Sequence, residues 1–72
     1  MRTASPPKFK YREGQSVALR EGYPELGLSV GDTGVIWAMY NVDPPTYEVA
    51  FRDASGEEFD MTVAEDEIGP PN

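Results

Sequence analysis

The stretch Gly31-Asp32-Thr33-Gly34-Val35-Ile36-Trp37-Ala38-Met39-Tyr40 constrains the fold of this chain more than any other. Two glycines bracket Asp32 and Thr33, and glycine supplies the positive φ angles that tight turns need. A run rich in β-branched and aromatic side chains follows, which suits a pleated, half-buried surface. A turn feeding a long central strand is therefore expected. Strict alternation sends Ile36, Ala38 and Tyr40 to one side and Val35, Trp37 and Met39 to the other, and neither set is polar. Three arrangements meet this: both faces are covered, one apolar face is exposed, or a β-bulge near Trp37-Ala38 turns Ile36 and Met39 inward together. The bulge is preferred, because the strands of a small barrel must bend strongly.

The flanking segments read as further short strands. Gln15-Ser16-Val17-Ala18-Leu19-Arg20 alternates, with Val17 and Leu19 inward. Residues 21–30 contain a proline and two glycines, so they form a long connection rather than a strand or helix. Leu26, Leu28 and Val30 are too apolar for a free loop, so a flap folding back over one barrel end is expected, with Tyr23 and Pro24 exposed at its tip. Asn41-Val42-Asp43-Pro44-Pro45 is a hairpin loop whose prolines exclude ladder pairing. Thr46-Tyr47-Glu48-Val49-Ala50-Phe51-Arg52 is the cleanest strand, with Tyr47, Val49 and Phe51 inward and Glu48 and Arg52 outward. After the turn Asp53-Ala54-Ser55-Gly56, residues 57–63 alternate again, with Phe59, Met61 and Val63 inward. Ala64-Glu65-Asp66-Glu67 reads as one 3₁₀ turn with its acids in water, and Ile68 as a short closing strand. The reading is all-β: an SH3-like small barrel of five short antiparallel strands with a 3₁₀ turn before the last. Residues 1–7 are expected to be a disordered arm, 8–69 the barrel and 70–72 a tail. Phe9 or Tyr11 is expected to tuck under the barrel floor.

Composition narrows the chemistry. Seventy-two residues make one domain with a thin core. There is no cysteine and no histidine, which removes disulfides, thiolate metal sites and the commonest general base and metal ligand. Ser16, Ser29 and Ser55 thus lack a histidine partner for a triad. A carboxylate pair would have to come from Asp32, Asp43, Asp53, Glu57, Glu58, Asp60 or residues 65–67, most of them in turns or at outward strand positions. Glu65, Asp66 and Glu67 could offer oxygen ligands to Ca²⁺ or Mg²⁺, but an EF-hand spacing is missing. Gly31-x-x-Gly34 lacks the Lys-Ser/Thr of a phosphate-binding loop and precedes a strand. No catalytic residue, cofactor or metal is expected. The start has no apolar h-region and no run approaches a membrane span, so a cytoplasmic location without membrane contact is expected.

The segment Gly31-x-x-Gly34-x-Ile36-x-x-Met39 resembles the turn-and-strand signature of KOW-type barrels. Over nearly the whole chain, from about Lys8 to Pro70, the sequence is similar to a family of small bacterial SH3-like barrel proteins of unknown function. The resemblance rests on Leu19…Pro24…Gly27-Leu28, Gly31-Asp32-Thr33-Gly34, Tyr47-Glu48-Val49-Ala50-Phe51 and Glu65-Asp66-Glu67-Ile68. It implies the fold, and association with toxin-type partners would imply an antitoxin or immunity role. The final turn also resembles the end of the small SH3-like subunit of photosystem I and of the variable chain of ferredoxin–thioredoxin reductase. Those relatives imply docking beside a larger protein. Ferredoxin binding itself calls for basic residues and does not transfer to this acidic chain.

Thirteen acidic against six basic residues give a formal charge of −7. Nucleic-acid binding depends on Lys and Arg neutralising phosphates, so the balance disfavours it. The bland reading of the acidity is solubility, and the sharper one an acidic face for a basic partner. Aromatic residues make up 11% of the chain, more than so small a barrel buries completely. Trp37 is either core or, turned outward by the bulge, a surface anchor of the kind enriched at binding hot spots. The leading expectation is a non-enzymatic protein-binding module, an adaptor or inhibitor, monomeric or weakly self-associating. Its partner-binding residues would be Trp37, Tyr40, Asp43, Glu48 and Tyr23. Two alternatives stand beside it. One is a KOW-like nucleic-acid or ribosome-associated module using Lys8, Lys10, Arg12, Arg20 and Arg52. The other is an accessory subunit of an oxidoreductase complex, by analogy of fold.

Overall fold

Apolar side chains recurring at every second position give this chain its strands, because a strand points successive residues to opposite faces. The computed structural model describes residues 9–53 and 55–71. Strand β1 is Ser16–Leu19, β2 Thr33–Tyr40, β3 Thr46–Arg52, β4 Glu58–Ala64 and β5 Ile68–Gly69. All pairings are antiparallel in the order β4-β3-β2-β1-β5, and the sheet curls into a half-barrel of the small all-β SH3-like class. The expected strands are present within a residue or two of their expected ends. The expected arm at residues 1–7, with Lys8, lies outside the described residues. Among those described, no helix is long and apolar enough to cross a membrane.

The inner face holds Val17, Leu19, Leu28, Ile36, Tyr47, Val49, Phe51, Val63 and Ile68, none more than 2% exposed. Each such large apolar side chain contributes roughly 1.5–3 kcal/mol on burial. Phe59 and Met61 are half-buried against this cluster, because β4 ends the sheet and has a neighbour on one side only. Phe9 and Tyr11 both close the floor. Their rings meet Tyr47 edge-on, with centroids 5.7 and 5.8 Å away.

The pairing of β2 with β3 shifts between Ile36 and Ala38: Ile36 opposes Val49, Ala38 opposes Glu48, and Trp37 has no partner. Of the three arrangements open to this strand, the bulge is therefore the one adopted. Ile36 is buried and Met39 packs half-buried on the core.

Three expectations need correction. Gly31 has φ +93°, but Gly34 is not a positive-φ residue. Gly34 lies inside β2, and a Cβ there would fall 2.6 Å from the Ala50 carbonyl oxygen and 2.7 Å from a Val49 methyl. Its role is close approach of β3, not the turn. In the flap, only Leu28 joins the core, while Leu26 is 41% and Val30 66% exposed. A 3₁₀ turn, Pro24–Leu26, ends at Gly27 in the left-handed region, and Tyr23 and Leu28 exchange backbone hydrogen bonds of 2.9 and 3.1 Å. This pairing draws Tyr23 half-buried against the core, so it is not an exposed tip. Finally, the acids of the second 3₁₀ turn, Glu65–Glu67, are not all in water. Glu65 Oε2 accepts the Tyr47 hydroxyl and the Lys10 N–H (2.8 Å), and Glu67 Oε1 accepts the Ala64 N–H (2.8 Å). Buried phenols and helix starts need such partners, and carboxylates supply them. Asp66 alone of the three is exposed.

Candidate functional site

The outer face of β2, β3 and β4 is built from the residues that alternation leaves over. Pairing sets Val35 beside Ala50 and Asp60, Ala38 beside Glu48 and Thr62, and Tyr40 beside Thr46 and Ala64. Trp37, freed from the ladder by the bulge, is 48% exposed, and Tyr40 is 42% exposed. The Trp37 indole donates Nε1–H to Asp60 Oδ1 at 3.1 Å. Asp60 lies two strands away, and adjacent strands are about 4.8 Å apart, so the indole lies across β3. It crosses at the level of Glu48 and Ala50 and keeps about half of its surface in solvent.

A second polar pair locks the neighbouring aromatic. Tyr40 donates its hydroxyl to Glu48 Oε1 at 3.2 Å, and Thr62 donates its own to the same oxygen at 2.9 Å. Partial burial, and then the Glu48 carboxylate that accepts its proton, hold the Tyr40 hydroxyl above the ordinary tyrosine range. Both aromatics are thus anchored by a carboxylate, Tyr40 by one on the adjacent strand β3 and Trp37 by one on β4. Arg52, at the end of β3, donates to the Gly56 carbonyl (3.0 Å) and lies 3.7 Å from Glu58.

Of the five residues expected to meet a partner, the structure brings together Trp37, Tyr40 and Glu48 on this face. Asp43 is exposed in the loop between β2 and β3. Tyr23 is elsewhere, half-buried on the flap. Its hydroxyl is raised above the usual value by burial, and then by the charges of Glu67, Glu21 and Glu25. Asp60 and Thr62 were not singled out from the sequence as binding residues. Their outward placement is legible in the alternation of β4, but their meeting with Trp37 and Glu48 depends on register.

Two more of the carboxylates weighed for acid–base chemistry hold loops together. Asp32 accepts the Ser29 N–H at 2.9 Å. Asp53 Oδ1 accepts the Ser55 hydroxyl, the Ser55 N–H and the Glu57 N–H. Those donors, the Ser55 hydroxyl first, hold its carboxyl below the usual range. Asp53 also rims an open groove of about 560 Å³ between the flap and the β3–β4 turn, floored by Leu26 and Phe59. Among the described residues, no three of Asp, Glu, His and Cys are grouped to hold a metal ion. Comparison with family models, with curated proteins and with solved structures gives no match for this chain.

Proposed function

We propose that this chain is a non-enzymatic protein-binding module, an adaptor or inhibitor of the kind its likeness to small bacterial SH3-like barrels suggests, acting through the outer face of β2–β4. The observation that carries the reading is the exposed Trp37, set on a bulge and pinned by Asp60. An aromatic held in one orientation loses little freedom on binding, and Trp and Tyr dominate interface hot spots. Val35, at an outward position of the same strand, adds exposed apolar area. The nucleic-acid alternative is less well supported, since this face carries Glu48, Glu58 and Asp60 and its Arg52 is engaged. The test is a photo-crosslinking residue at Val35 of the full chain, expressed in the cells it comes from. One predominant protein adduct is expected, strongly reduced by Trp37→Ala. A chain that forms no protein adduct is not a protein-binding module of this design.

A further inference from the structure

The same face carries an indication of what it takes. Its outward strand positions place Asp60 and Glu48 beside Trp37 and Tyr40, with Glu58, beside Arg52, one outward position further along β4. The outward positions of β2–β4 carry these three carboxylates and one cation, Arg52, already engaged by Glu58 and the Gly56 carbonyl. A second copy, in a chain already at −7, would therefore meet net like charge, and self-association through this face is opposed. Each central carboxylate is tied by one oxygen. Asp60 Oδ1 accepts the indole N–H, and Glu48 Oε1 accepts the Tyr40 and Thr62 hydroxyls. Among the described residues, Asp60 Oδ2 and Glu48 Oε2 receive no hydrogen bond. Strand β4 also ends the hydrogen-bonded sheet. An extended segment added along that edge would set every second side chain beside Glu58, Asp60 and Thr62.

Resting on the protein-binding reading above, we infer that the segment taken is an arginine-bearing extended strand, one guanidinium stacking on the exposed indole of Trp37 with its N–H edge on Asp60. The guanidinium suits this geometry better than an ammonium. It is planar and weakly hydrated, so it covers an aromatic face while its in-plane donors still reach a carboxylate. Asp60 supplies both halves of the recognition, since one oxygen fixes the indole and the other is open to the cation. Glu58 adds charge at the neighbouring outward position of β4.

Trp37 is the only tryptophan, so its emission reports this site alone. The full chain is titrated with eight-residue peptides alternating serine with arginine, lysine or glutamate. The arginine peptide is expected to change Trp37 emission saturably and to bind more tightly than the lysine peptide, whose compact, strongly hydrated ammonium cannot stack and donate in one plane. The glutamate peptide is expected to leave emission unchanged, and added salt to weaken the arginine response. Asp60→Asn keeps an acceptor for the indole and removes the charge, so it is expected to weaken the arginine peptide several-fold. Glu58→Gln, remote from the indole, repeats the test with a smaller loss. No saturable response to arginine, equal responses to arginine and lysine, or wild-type binding by both variants overturns the inference. A Val35 adduct whose crosslinked segment lacks arginine overturns it too, while leaving protein binding itself standing; absence of any adduct removes both.

Discussion

Two tyrosines, one on each face of the same sheet, donate their hydroxyls to glutamates, and the difference between them separates architecture from display. Tyr47 on β3 points inward, is fully buried, and donates to Glu65 beneath the floor rings of Phe9 and Tyr11. Tyr40 on β2 points outward, is partly exposed, and donates to Glu48 beside Trp37. The chemistry of each pair is the same. Water decides what each is for: the inner hydroxyl is shut away from solvent and has Glu65 as its acceptor, whereas the outer pair holds an aromatic in place on an open surface. A buried group stripped of its partner keeps the full cost of desolvation, and an exposed one exchanges the protein for solvent.

That contrast is broken or sharpened by substitution, the largest effect first. Gly34→Ala drives a methyl into the β3 backbone on the inner side. Overpacking of this kind costs about 3 kcal/mol, and the urea midpoint should drop steeply. Tyr47→Phe comes next. It removes the inner hydroxyl while Glu65 keeps the Lys10 N–H, and should cost about 1–2 kcal/mol, measured the same way. It also carries a pH signature. Burial first, and then the Glu65 carboxylate, push the Tyr47 hydroxyl from 10.0 up to about 12. A value raised in the folded state means the fold favours the neutral phenol. This contribution to stability is therefore whole below pH 10 and is lost as pH rises toward about 12. Wild type should lose stability across that window more steeply than Tyr47→Phe. Tyr40→Phe, the outer counterpart, should leave the urea midpoint unchanged within error, and a fall as large as that of Tyr47→Phe would collapse the distinction between the faces. Smallest of all is Glu58→Gln, which breaks a solvent-exposed ion pair with Arg52. Such pairs contribute roughly 0–1 kcal/mol, so thermal unfolding should barely move.

Much of the inner face could be read from the order of residues alone. Val17, Leu19, Tyr47, Val49, Phe51 and Val63 sit where alternation puts them, because a period of two is a local property of a strand. The bulge at Trp37 was legible as well, from the two apolar sets of β2 and the strong bending that a small barrel demands of its strands. What escaped depended on distances between segments. The need for glycine at 34 comes from β3 passing within reach of its α-carbon, and nothing near Gly34 in sequence announces that. Glu65 looked like one of three solvated acids until the floor brought Tyr47 and Lys10 over it. The flap misled in the opposite sense: Leu26 and Val30 are as apolar as Leu28, yet only Leu28 reaches the core, because its pairing with Tyr23 fixes which way it points. On the outer face, the aromatics were legible, and the tethers of Trp37 to Asp60 and of Thr62 to Glu48 were not, since those arise from register across three strands.

The unpaired place of Trp37 in β2 has a consequence for how such a protein can change. A residue outside the ladder has no opposite number on β3 to match and no share in the core. Its replacement leaves the inward set of β2 where it was, so different side chains can be tried at position 37 while the scaffold beneath is inherited intact. One extra residue in one strand thus gives a seventy-two-residue chain a socket whose contents can be exchanged separately from the frame that holds it.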